Sequence, residues 1–330
     1  MSSKCLIDKK FLKDVGFTYI QDWLSNECLC EQNQSHFSNI SPSYNKDSII
    51  KKINLTSELE GAIKRQESLV KTTLNNLEKP ISIIGKDGVL IDIKDICGIR
   101  DLTGYYIQLS KLFKNKEFPL WRKLTPKFHE AEDIYRMINL VIDKNSKVRD
   151  SASKELGQIC NKINKTEKNI ELTSKNELIK YSKLGYLQES RLVFRSGRAH
   201  LQVNVANKNK IKGVVDSYSS TYQTCFIEPE SLVELNNQIN ELLIQKDKEI
   251  IKILIKLISD VGKFKSKLEK IYSLILLYDI HHTSCILATR ISASKPDFKD
   301  SLSIKDAVNP IFKLSNKNYV PLNVSIKKNC

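Results

Sequence analysis

The sequence lacks the short signatures that mark most enzymes. No Gly-x4-Gly-Lys-Ser/Thr run is present, so no loop offers the backbone N–H groups and lysine that cradle nucleotide phosphates. The nearest fragment, Gly262-Lys263-Phe264, has no glycine five residues earlier and no hydroxyl after it. Cysteines at 5, 28, 30, 97, 160, 225, 285 and 330 form no Cys-x-x-Cys and no Cys/His cluster at zinc spacing. That excludes a disulfide framework and points to reduced thiols in a cytoplasmic chain. His281-His282 stands near Cys285, but one helix face supplies at most two such ligands, and no further cluster completes a set. No stretch approaches the ~18 consecutive apolar residues of a membrane span. The longest candidate, Ile250 to Val261, is broken by Lys252, Lys256 and Asp260. The amino terminus, MSSKCLIDKKFLKDVGF, has no apolar core of a secretory signal. A soluble chain with no catalytic residues, metal, cofactor or membrane partner is expected.

What is present is charge, apolar periodicity and helix. The 330 residues suffice for roughly two domains, and 41% apolar content supports a packed core over disorder. A net charge of +15 favours an anionic partner, nucleic acid first. Apolar spacing predicts helices over Phe11–Glu31 (interrupted near Gly16), Asp47–Leu77, Ile93–Phe113 and Trp121–Ile142, with a break from Pro80 to Gly88. Asp143 to Asn145 reads as a turn. Ser151 or Ser153 then caps a helix running to about Tyr181, with Glu155 in its first turn. Arg149-Asp150 is thereby a local ion pair and turn, not a catalytic pair. Ser231 to Ser292 contains no proline and only Gly262, which predicts one helix roughly 90 Å long with an apolar stripe against other helices. Leu302–Val308 and Tyr319–Ile326 read as short strands.

One region is β-like. Leu192 to Phe194 lead into the turn Arg195-Ser196-Gly197-Arg198, and Leu201, Val203 and Val205 alternate with polar residues. Val214-Val215 and Cys225-Phe226-Ile227 suggest two further strands, Lys208 to Lys212 a polar turn between, and Pro229 stands near the next helix. From Arg191 to Lys212 there are six Lys/Arg residues and no Asp or Glu. A small sheet with a basic rim suits a polyanion. The candidate nucleic-acid contacts are Arg191, Arg195, Arg198, His200, Lys208, Lys210 and Lys212, neutralising phosphates with little base readout.

Several of these residues carry a resemblance. Gly213-Val214-Val215, Ser219-Ser220, Thr224, Phe226-Ile227-Glu228-Pro229 and Val233-Glu234-Leu235-Asn236-Asn237 resemble the clamp region of the type-two branch of the MutS family. Val148-Arg149-Asp150-Ser151-Ala152-Ser153 matches the signature leading into that clamp. Lys86 to Leu109 is similar to the family core, with Asp87 in place of one glycine of its Lys-Gly-Gly-Val-Leu pattern. Asn309-Pro310-Ile311-Phe312 and Val320-Pro321-Leu322-Asn323 stand where the family approaches its ATPase domain, Asn309 replacing a histidine. Tyr222 replaces a glycine and Asp216 a histidine. Phe128-His129-Glu130 spells the Phe-x-Glu wedge of mismatch readers, but in a helical stretch without the domain that carries it.

The resemblance implies a mainly α fold, a long-helix core/lever bundle with a small antiparallel sheet at the tip of an inserted clamp. It divides the chain into a helical core (1–145), a clamp (146–245, sheet about 191–229), a returning lever helix (246–300) and a strand-like segment (301–330). It further implies roles in recombination control or in engaging collided ribosomes, with DNA or ribosomal RNA as partner. ATP and Mg would belong only to the family's ATPase domain, which is expected to be missing along with the Smr nuclease. The other reading is a truncated or split-gene structural half that docks a separate ATPase subunit, with Ile311, Phe312, Val320 and Leu322 as candidate contacts; a homodimer is the alternative partner.

Overall fold

The computed structural model describes residues 9–65, 73–86, 88–195, 197–299 and 301–326. Cys5, Asp87, Ser196, Cys330 and the 66–72 part of the expected second helix lie outside them. The fold is mainly α with small antiparallel sheets. It comprises two compact units, residues 1–139 with 258–330, and residues 140–257.

In the first unit, α1 (Lys9–Asp14) and α2 (Phe17–Glu27) are separated at Gly16, whose φ of 76° only glycine adopts cheaply. After α3 (Glu31–Ser38), α4 (Lys46–Lys64) starts where the Asn45 side chain accepts from Ser48 N at 2.9 Å. The helix expected to reach Leu77 ends at Lys64, and Leu74 instead forms a bridge with Cys30. The expected break at Pro80 holds a short helix, α5 (Glu78–Ile83), with the proline in its first turn, where no N–H is needed. Next come α6 (Ile93–Leu112), α7 (Pro119–Leu124) and α8 (Glu130–Val141). The single helix expected over Trp121–Ile142 is thus two, because Pro126 disfavours helical backbone at Thr125. Phe128 and His129 lie in that loop, not in a helix, and Phe128 stacks on Tyr106 at 5.9 Å.

The second unit opens with a 3-10 turn (Asp150–Ala152) and α9 (Lys154–Lys183), capped by Ser153 Oγ accepting from Leu156 N at 2.9 Å. Asp150 accepts from the Cys160 thiol at 3.2 Å, a structural position. Strands β1 (Leu187–Arg195), β2 (Arg198–Asn204), β3 (Gly213–Tyr218) and β4 (Thr224–Pro229) follow, with a 3-10 turn over Val205–Lys210. That turn takes in Val205, which the alternation had placed in a strand.

The long helix expected over Ser231–Ser292 is divided into α10 (Glu230–Gly262) and α11 (Lys265–Arg290). At the division Gly262 meets Gly85 backbone to backbone: a methyl added at Gly262 would lie 2.2 Å from the Gly85 Cα. The chain ends in β5 (Leu302–Ala307), α12 (Pro310–Leu314) and β6 (Leu322–Ile326), β5 and β6 forming a two-stranded sheet.

Helix α11 is long and apolar enough to cross a membrane, yet it is the core helix of the first unit. Its Leu268, Ile271, Ile275 and Tyr278 are buried, and Tyr278 meets the rings of Phe113 and Trp121 at 5.9 and 5.6 Å. One turn position further sits Asp279, fully buried, accepting from Leu29 N (2.9 Å), Cys30 N (3.0 Å) and Asn33 Nδ2 (2.8 Å). Burial pushes the nearby Cys28 thiol up to about 11, the Asp279 charge adding to it. The six described cysteines are buried thiols outside any disulfide.

Asp279→Ala leaves two backbone donors and an amide without their acceptor, so we expect a loss of at least about 3 kcal/mol in urea unfolding. His281, 4% exposed, pairs through Nδ1 with Thr56 Oγ at 2.9 Å, and burial, with Lys52 and His36 adding, pushes it down to about 4. The unfolded chain takes up this proton near pH 6.5, so stability present above that pH falls as pH drops towards 4 and levels off below. The loss is on the order of 3 kcal/mol. Urea midpoints at pH 7 and 4.5 will show it, and His281→Gln will flatten the difference.

Candidate nucleic-acid interface

The sheet order is β1-β2-β4-β3, antiparallel throughout. Leu201 pairs with Ile227, Gln202 with Phe226 and Val203 with Cys225, so alternate residues of the two central strands share a face. Leu201, Val203, Cys225 and Ile227 form a core with Tyr181 of α9 and with Ile211. Arg198, His200, Gln202, Phe226 and Glu228 alternate onto the other face. Gly197, at φ 79°, turns β1 into β2.

The structure sorts the seven candidate residues into two groups. Arg191 pairs with Glu189 at 2.5 Å. Arg195 lies over the Phe226 ring, 3.7 Å from its centre, donates to Ser217 Oγ at 2.6 Å and stands 3.8 Å from Asp216. Arg198 donates to both oxygens of Glu228 (3.1 and 3.0 Å) and to Asn237 at 2.7 Å. Glu228 is itself 5% exposed and also accepts from Asn236 at 2.6 Å. His200, expected as a surface contact, is 2% exposed, its Nδ1 at 2.9 Å from the Arg198 carbonyl. It is interior because β2 lies between two strands and is covered on both faces. The run without acids from 191 to 212 is therefore not bare: carboxylates at 189, 216 and 228 meet its arginines.

Lys208, Lys210 and Lys212 make up the second group. Lys208 and Lys210 lie in the 3-10 turn, with Nζ at 6.0 Å from the Tyr218 ring centre and 5.0 Å from that of Tyr186. Lys212 is exposed at the entry to β3, its carbonyl accepting from Glu230 N. None of the three has a carboxylate partner among the described residues.

Tyrosines beside these lysines were not singled out as contacts from the sequence. The β3–β4 turn is closed by Tyr222 N to Ser219 O (3.0 Å), Ser219 N to Thr224 O (2.8 Å) and Thr224 N to Ser219 Oγ (3.2 Å). Tyr222 is held at φ 54°, a left-handed conformation that costs a side-chain-bearing residue roughly 1–2 kcal/mol. Its ring is near-parallel to that of Tyr218, 5.8 Å between centres. Val205 N donates to Gln223 O at 3.1 Å, tying the lysine turn to the tyrosine turn. The signal available was Tyr222 itself, an aromatic residue in a turn of serines and threonines.

Elsewhere, among the described residues, no group of three or more His, Cys, Asp and Glu could hold a metal. His281 turns to Thr56, whereas His282 stacks on Tyr278 at 5.4 Å.

No family model matches the chain. Curated relatives do. It is 22% identical over 320 residues to the protein named Endonuclease MutS2 of Aquifex aeolicus, covering 97% of this chain and 42% of that one. The Endonuclease MutS2 of Finegoldia magna is 26% identical over 326 residues, 96% of this chain and 41% of that protein. That of Lactobacillus gasseri reaches 30% over 197 residues, 59% and 24% of the two chains. The chain thus spans about two fifths of the length of the relatives that match nearly all of it. Over nearly its whole length, this chain is similar to proteins named Endonuclease MutS2.

Proposed function

We propose that the sheet of residues 187–229 grips the phosphate backbone of nucleic acid, as the core-and-clamp portion of a type-two MutS-like protein. The observation that carries this is the separation of cations: Arg191, Arg195 and Arg198 beside carboxylates of the sheet, and Lys208 and Lys210 on one turn, with Lys212 at the entry to β3, without them. Held arginines shape the surface, and the lysines supply the field. Readout is of backbone, not bases, because the lysines sit on a short turn, whereas a groove is read by an inserted helix or ribbon. This portion binds without catalysis of its own and without ATP or Mg; hydrolysis falls to a separate domain or subunit. Duplex DNA and ribosomal RNA present the same phosphates, so the family's recombination and ribosome roles both remain within this reading.

A second reading is favoured by the exposed apolar residues Phe312, Val320 (92% exposed) and Leu322 in the first unit, of which all three line a cavity of about 480 Å³ with Val15, Ile20 and Ile311. A two-stranded sheet such as β5–β6 is marginal alone. This surface fits docking of a separate MutS-type ATPase subunit.

The first test is binding to duplex DNA and to ribosomal RNA across a salt series. For duplex DNA, affinity should fall with salt, and the triple variant K208A/K210A/K212A should lower the slope by about 0.9 for each lysine in contact. An unchanged slope would sink the lysine turn as the grip. The second reading predicts that an ATPase-containing piece of the Aquifex aeolicus relative co-elutes with this chain in size-exclusion chromatography. Phe312→Asp with Val320→Asp should abolish the complex.

A further inference from the structure

Resting on the nucleic-acid reading above, we infer that Tyr222 and Tyr218 form a stacking platform for unpaired bases, so that the sheet selects single-stranded nucleic acid over duplex. The first ground is conformational. A tyrosine with left-handed backbone is strained, and strain of this kind gathers at ligand-binding sites. At Tyr222 the strain has no return in core packing, because the residue is 74% exposed. Three hydrogen bonds across Ser219–Thr224 hold the turn that presents it. A glycine would fit the same backbone without cost.

The second ground is geometric. Tyr218 lies against Tyr222 with 27° between the ring planes and is itself 40% exposed, so the pair offers a ready-made first step of a stack. The third is charge. Lys208 stands over Tyr218, Lys210 over Tyr186, and the Val205–Gln223 hydrogen bond fixes the lysine turn beside the tyrosine turn. Aromatic faces interleaved with cations match a polymer that alternates flat bases with phosphates. An apolar protein segment would use the rings but leave the lysines unanswered.

Duplexes do not fit this surface equally well. Their bases are stacked on one another and show only edges in the grooves, whereas unpaired nucleotides expose whole faces. Every base has such a face, so no strong sequence preference is expected. Oligonucleotides of deoxythymidine and of uridine share this chemistry and separate a DNA source from an RNA one.

The test is fluorescence anisotropy at one salt concentration with labelled deoxythymidine and uridine oligomers of about 16 nucleotides, the upper site size of a stacking domain, and a duplex of equal length. The parent, Tyr222→Gly, Tyr222→Phe and K208A/K210A/K212A are compared. We expect the parent to prefer single strands. Tyr222→Gly should weaken single-strand binding by about fivefold to a hundredfold, spare duplex binding, and leave thermal stability equal or higher. Tyr222→Phe should bind as the parent does. If Tyr222→Gly binds single strands unchanged while the lysine variant loses them, stacking is wrong and the phosphate grip stands. Equal loss of duplex and single-strand binding in Tyr222→Gly would also overturn the inference. A parent that binds none of the probes overturns both.

Discussion

The first unit is organised by one buried carboxylate. Asp279 has no exposure and, among the described residues, no cation paired with it; its carboxylate is held by hydrogen bonds from Leu29 N, Cys30 N and Asn33 Nδ2. Two of the donors are backbone N–H groups just before α3, where the helix dipole adds positive potential. A charge buried this way tolerates little displacement of its donors, which fixes the α2–α3 connection on α11. The aromatic packing of Phe113, Trp121 and Tyr278 surrounds the neighbouring turn. Apolar contact supplies bulk stabilisation there, whereas the carboxylate supplies register.

A second carboxylate plays the corresponding part in the other unit. Glu228 is nearly buried, and its bonds to Arg198 and Asn236 join β2, β4 and the start of α10. A buried pair of this kind adds specificity more than stability, since desolvation offsets much of the attraction. Its functional consequence is subtractive. By occupying Arg198, it leaves the electrostatic surface to the lysines of the neighbouring turn.

Helices with regular apolar spacing were legible in part: α6 begins at the expected Ile93 and α9 is capped by Ser153, one of the two serines the sequence offered, whereas α4 stops at Lys64, short of the expected Leu77. The four-stranded sheet was legible too, because alternation and Gly197 both marked it. Breaks were less so. The division after Gly262 coincides with its close approach to Gly85, 177 positions away in the chain, which no local pattern carries. The candidate site was half legible. Its basic residues were visible, but which of them are paired depended on acids outside the basic run, at 189, 216 and 228.

Sequence by itself determined the fold class, the place of the sheet and the resemblance to type-two MutS proteins, because these rest on residue spacing along one strand of chain. Tertiary structure alone decided that His200 is interior, that the arginines are held, and that Tyr222 stacks on Tyr218 beside the lysine turn. Exposure and ion pairing are set by which strands lie side by side. That order, β1-β2-β4-β3, sandwiches β2 between partners and brings acids distant in sequence onto its arginines.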